Sequence, residues 1–143
     1  THYVVHSKHI EKSFRKTAYK SKKHLLVYEG GESMRLDNYS IEEGVIGTKR
    51  LLHHLEMINS PQLPQATTIL KDSEWTRAKA SGIFSCLVKL GDFVRKGELM
   101  ANISDPYGQV IVPVKATTNG HVIGVNNNPV INVGDALIHL GKE

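Results

Sequence analysis

The second half of the sequence repeats itself. Ser81-Gly82-Ile83-Phe84, followed by Gly91-Asp92-Phe93-Val94-Arg95-Lys96-Gly97-Glu98-Leu99, is matched by Asn119-Gly120-His121-Val122, followed by Val130-Ile131-Asn132-Val133-Gly134-Asp135-Ala136-Leu137. From about Trp75 to Leu140 the apolar runs are short and bounded by Gly, Asn, Asp and Pro, the pattern of strands joined by turns. Two similar β units folding face to face predict a compact pseudo-twofold barrel or sandwich.

The first half has another period. Tyr3-Val4-Val5 reads as a short strand, and Ser7 is placed to cap a helix in which Ile10, Phe14 and Ala18 recur at every fourth position. His24 to Tyr28 reads as the next strand, so the segment predicts a βαβ unit with two parallel strands and a right-handed crossover. Such a unit does not bury itself, which predicts the tail of a larger sheet with its earlier strands outside this chain. Ser40-Ile41-Glu42-Glu43 has the spacing of a capping box and leads into a helix with Ile41, Val45, Leu52, Leu55 and Ile58 on one side, ended by Asn59-Ser60-Pro61. Pro61 and Pro64, with Gln62, Gln65, Thr67 and Thr68, form a polar connector. The expected class is α+β: an α/β portion over residues 1–60, a connector and leading strand over 61–79, and an all-β domain over 80–143.

One point in the α/β portion carries a chemical signal. In Leu25-Leu26-Val27-Tyr28-Glu29-Gly30-Gly31-Glu32-Ser33 an apolar run ends in a carboxylate and two glycines. A strand that apolar is expected inside a sheet covered on both faces, which would put Glu29 at the carboxyl end of the strand, on the rim where open α/β sheets bind ligands. A general acid/base belongs there; so does an ordinary strand-ending Glu in a turn. Glu32, beyond the glycines, is the second carboxylate candidate, with solvent or the turn as its expected surroundings. Arg35 has the guanidinium fork that pairs with a substrate carboxylate, and equally two acidic neighbours, Glu32 and Asp37, for a surface ion pair.

Composition narrows the class. The chain has 143 residues, 40% of them hydrophobic, enough for real cores. No apolar stretch approaches the roughly 18 residues of a membrane span. The opening Thr1-His2-Tyr3-Val4 has neither an initiator Met nor a signal peptide, which predicts a piece of a longer protein. The single cysteine, Cys86, forms no internal disulfide and is expected to pack as a small apolar residue, in keeping with a reducing cytoplasm. The net charge of +4 gathers at Lys8, Lys12, Arg15, Lys16, Lys20, Lys22 and Lys23, read as a solvated helix face because no nucleic-acid motif or stacking aromatics accompany it. Neither a nucleic acid nor a membrane is an expected partner.

Histidines do not assemble a metal site in this reading. His2, His6 and His9 have suggestive spacing, but a strand between them sends the rings in different directions; His53 and His54 are adjacent on a helix and diverge; His121 and His139 fall in β segments as structural residues.

The β half, from about Ala80 to Leu140, resembles the biotinyl/lipoyl-type barrel-sandwich hybrid in its small-Gly-apolar start, its Gly-Asp-x-Val-x-x-Gly-x-Leu turn and its closing Gly-Asp-Ala-Leu. The hairpin tip that presents the carrier lysine in such domains here reads Ser104-Asp105-Pro106-Tyr107-Gly108, and Lys115 lies further on in a strand, so a biotin or lipoate carrier is not expected. Taken together, Leu-Val-Tyr-Glu-Gly-Gly-Glu-Ser, Ile-Glu-Glu-Gly-Val and the Ser-Asp-Pro-Tyr-Gly hairpin, in that order, resemble the C-terminal portion of the succinylglutamate desuccinylase/aspartoacylase family, relatives of zinc carboxypeptidases. The resemblance implies a zinc-dependent deacylase acting on an N-acyl amide or ester of a small carboxylate-bearing compound, with Glu29 in the place of the general base/acid. It would let Tyr107 reach over the substrate cleft as part of a lid, the alternative being a turn Tyr with no catalytic role. It also places the zinc ligands, a His-x-x-Glu pair and a later His, outside this chain, so that the chain alone would be inactive. A sheet edge left open is expected to pair with another copy or to stay poorly ordered. The alternative class is a noncatalytic lipoyl-like interaction module.

Overall fold

A computed structural model describes residues 3–60 and 65–143. Its elements, in chain order, are β1 (Tyr3–Val5), α1 (Phe14–Lys20), α2 (Asn38–His54), β2 (Thr68–Leu70), β3 (Asp72–Arg77), β4 (Gly82–Cys86), β5 (Phe93–Val94), β6 (Leu99–Ser104), β7 (Ile111–Lys115), β8 (Gly120–Val125), β9 (Val130–Ile131) and β10 (Ala136–Lys142). They fall into two compact units, one of residues 1–4 and 8–67, the other of residues 5–7 and 68–143.

The second unit is built on two four-stranded antiparallel sheets, in the orders β3-β10-β8-β5 and β7-β6-β4-β9. The repeat explains these orders. The first copy supplies β4, β5 and β6, the second β8, β9 and β10. The leading strand of each copy pairs with the last strand of its own copy (β4 with β6, β8 with β10) and with the middle strand of the other (β4 with β9, β8 with β5).

The turns repeat as well. Arg95 N–H donates to the Glu98 carboxylate (2.8 Å) and Glu98 N–H returns to the Arg95 carbonyl (2.9 Å); Asn132 and Asp135 make the same pair of bonds at 2.8 and 3.1 Å. Buried side chains from both sheets form one cluster, with Met100, Ile103 and Ile131 from one and Val94, Val122, Leu137, Ile138 and Leu140 from the other, each at most 1% exposed. Among the described residues the pairings close no ring, leaving β3, β5, β7 and β9 as edges. Cys86 packs half-buried against this cluster, its thiol directed at the Val88 carbonyl (3.3 Å). Lys115 ends β7, paired with Leu99, as its sequence context predicts.

The first unit departs from the reading of its sequence. Residues 24–28 form no strand, so the expected parallel βαβ unit is absent among the described residues; Leu26, Val27 and Tyr28 are exposed instead, Leu26 by 79%. A strand exists only where a neighbouring backbone accepts its hydrogen bonds, and none of the described residues provides one. Helix α1 starts at Phe14 rather than near Ser7. Lys12 takes a positive φ of 60°, which interrupts any helix from Ser7, and the Ser13 hydroxyl accepts from Lys16 N–H (3.2 Å) as the true cap. Helix α2 likewise starts before Ser40. Its cap is Asp37, whose carboxylate accepts from Ser40 N–H (2.6 Å), so Ser40 is the third helical residue and the expected capping box does not form. The helix ends at His54, short of Asn59-Ser60, and the Pro61, Gln62 and Pro64 of the expected terminator and connector lie outside the described residues, as does His2. Neither helix has a buried residue.

Candidate functional site

The Glu29-Gly30-Gly31 turn is held by a clamp on α2 rather than by a sheet. The Tyr28 hydroxyl donates to the Ser40 carbonyl in the first turn of α2 (2.7 Å), and the Tyr28 ring lies against that helix at Gly44. On the far side of the turn, Gly31 (φ +78°) sits beside Asp37, the cap of the same helix. Glu32 pairs with Arg35 (3.2 Å), the ion-pair alternative for that guanidinium. The Ser40 side chain and backbone N–H both donate to Asp37 and hold its carboxyl below the usual carboxylate range. Glu29 is exposed, on a turn pinned at both ends. Two shallow grooves lie beside its neighbours, neither lined by Glu29 itself: an open one of ≈ 440 Å³ between Tyr28 and Ile41, Val45 and Thr48 of α2, and one of ≈ 120 Å³ between the glycines, Arg35 and Asp37.

Tyr107 belongs to the other unit. It stands 85% exposed on the tight turn between β6 and β7, where Asp105 accepts from Gly108 N–H at its carbonyl (3.1 Å) and from Gln109 N–H at its carboxylate (2.8 Å). The structure pairs Arg35 with Glu32 a few residues from Glu29 and places Tyr107 on a hairpin of the other unit.

Several other ionisable groups are engaged in local contacts. His121 pairs with Glu143 (3.0 Å) and meets the Phe93 ring edge-on at 5.1 Å; His139 stacks on Trp75 at 4.5 Å; His9 contacts the Tyr19 ring at 4.7 Å; His53 faces the Ile58 carbonyl at 3.3 Å. Lys142 bridges Glu74 (2.7 Å) and Asp72 (3.7 Å), and Thr117 donates to the same Glu74. That Lys142 hydrogen bond, then the Thr117 one, holds the Glu74 carboxyl below its ordinary range; Glu74 in turn raises Lys142. Among the described residues no three His, Cys, Asp or Glu side chains are grouped to hold a metal ion, and no helix is long and apolar enough to cross a membrane.

The clamp itself was not anticipated from sequence. A signal was present: Gly44 inside an amphipathic helix costs about 1 kcal/mol against Ala, which asks for a packing reason. The Tyr28 ring is that reason. The turn offers an exposed carboxylate that can accept and return a proton.

The sequence matches no protein-family model and no curated protein. Solved structures do match. The apo structure of the ectoine utilization protein EutE (DoeB) from Ruegeria pomeroyi is 23% identical, with a TM-score of 0.88 over 99% of this chain and 47% of that one. A succinylglutamate desuccinylase from Silicibacter sp. is 20% identical, with a TM-score of 0.84 over 98% of this chain and 44% of that one. A succinylglutamate desuccinylase/aspartoacylase from Rhodobacter sphaeroides is 20% identical, with a TM-score of 0.69 over 76% of this chain and 37% of that one. This chain spans less than half the length of these structures, and at such identities the likeness is one of fold.

Proposed function

We infer that this chain is the C-terminal portion of a cytoplasmic, metal-dependent deacylase that hydrolyses an N-acyl amide or ester of a small carboxylate-bearing compound. The observation that carries the reading is the likeness of fold along nearly the whole chain to structures that include a desuccinylase. The pinned, exposed Glu29 supports it from within. Residues 1–60 complete the catalytic domain, 61–79 connect, and 80–143 form a lipoyl-like barrel-sandwich hybrid that lacks a carrier lysine.

Amide hydrolysis needs a group that takes a proton from the attacking water and returns it to the leaving amine. Glu29 performs both transfers: its carboxylate accepts the water proton as the new C–O bond forms, and the resulting carboxylic acid protonates the amine nitrogen as the C–N bond breaks. Arg35, released from Glu32, pairs with the substrate carboxylate, and Tyr107 serves as a lid residue. Zinc would supply Lewis-acid polarisation when bound. The described residues hold no group that fits it, so its ligands would lie outside this chain and none of the steps above passes through it.

The test is hydrolysis of N-acyl amino acids and their ester analogues by the longer protein. Equal release of carboxylate and amine is expected, lost on chelation and restored by zinc, with none from the 143-residue chain alone. Turnover by this chain alone, or none by the longer protein on any of these substrates, would overturn the reading.

A further inference from the structure

We propose that Tyr28 is the positioning residue for the Glu29 carboxylate. The inference rests on the reading of Glu29 as the proton-transfer group and adds what holds it in place. Among the described residues no strand pairs with residues 24–28; what ties this segment to the rest of its unit is the Tyr28 side chain. The Tyr28 hydroxyl is bonded to the Ser40 carbonyl at 2.7 Å. Two glycines make room for the ring: a Cβ at Gly44 would stand 2.9 Å from Tyr28 Cε1, and a Cβ at Gly30 would stand 2.6 Å from Tyr28 Oη. Contacts that close are not tolerated, so a side chain at either position displaces the ring. The half-exposed phenol thus lies between its own turn and α2, and Glu29 is one peptide unit from that contact.

The hydroxyl and the ring contact act on one anchor. Tyr28→Phe removes the hydrogen bond and keeps the ring; Gly44→Ala keeps the hydroxyl and pushes the ring away. Misplacing a reacting group by an ångström costs about 100-fold in rate. Each variant of the longer protein is therefore expected to lose about 10-fold to 100-fold in kcat with KM changed less than about twofold. The double variant should lose little more than the worse single one, because the same anchor is broken twice. Tyr19→Phe, an exposed ring on α1 remote in role from the turn, is the control expected to leave kcat unchanged.

Glu29→Gln measured alongside separates the possible failures. Lost turnover in Glu29→Gln with normal kcat in Tyr28→Phe overturns the positioning role and leaves the proposed function standing. Normal turnover in Glu29→Gln, or no turnover in the wild type, overturns both. A loss in Tyr28→Phe that falls on KM alone, or that adds fully to the loss from Gly44→Ala, also overturns the positioning role.

Discussion

The two units of this chain are stabilised in opposite ways. Every fully buried large side chain among the described residues, from Leu70 to Leu140, lies in the second unit, whereas α1 and α2 of the first bury none. The second unit closes its apolar faces on each other through a duplicated strand-turn-strand pattern. The first is held by caps and a side-chain clamp and leaves Leu26, Leu36, Ile41, Val45, Leu51 and Leu55 exposed. Among the described residues of this chain the buried core and the carboxylate turn thus lie in different units.

Truncation of apolar side chains should break this contrast most visibly if it is false. Leu140→Ala removes a side chain with no exposure and is expected to lower unfolding free energy by about 2–5 kcal/mol. Leu51→Ala, on an exposed position of α2, should change it by no more than about 0.5 kcal/mol. Urea titration of both variants checks the pair. Comparable losses would mean that the first unit has a core after all.

The first unit should respond instead to its caps. Asp37→Ala removes the acceptor for Ser40 N–H and is expected to destabilise the first turn of α2. Hydrogen exchange on the α2 amides reads this directly, and the amides of β8 and β10 should be unmoved.

The smallest expected effect is the pH dependence of the second unit. Glu74 has a depressed pKa through its bonds from Lys142 and Thr117. Its contribution is full above the pKa of the unfolded chain and disappears as pH falls through the lower folded value. Lys142 has the opposite sign: raised by Glu74, it contributes fully below its unfolded value and loses the contribution as pH rises through the higher folded one. Glu74→Gln should flatten both limbs of the stability curve, by less than about 1 kcal/mol for a pair this close to solvent. Unfolding midpoints across the pH range measure it; an unchanged acid limb would remove the pair from the account.

What was legible in the sequence follows the same division. The repeat declared two similar β units because each turn needs its own local chemistry, and Gly97-Glu98 and Gly134-Asp135 carry it in the chain itself. The first unit was legible only in part. The apolar run 24–28 has strand composition, but pairing depends on a neighbouring backbone that composition cannot supply. The helix of residues 38–54 was visible from its periodicity, while its start was misplaced because Ser40 and Asp37 are both good capping residues and only geometry chooses between them. Glu29 stood out as a carboxylate at a glycine turn; Tyr28 did not, because an aromatic at the end of an apolar run reads as packing until Gly30 and Gly44 are seen against its ring.

The central claim is that Glu29 carries the proton transfer. Its direct measurement is kcat of the longer protein bearing Glu29→Gln, with Glu32→Gln beside it and with folding and zinc content checked in both. A fall of roughly 10²–10⁴-fold for Glu29→Gln is expected, with unchanged unfolding midpoint and metal content and a far smaller loss for Glu32→Gln. Near-normal kcat in a folded, zinc-loaded Glu29→Gln protein would contradict the claim and leave the Glu-Gly-Gly turn as architecture alone.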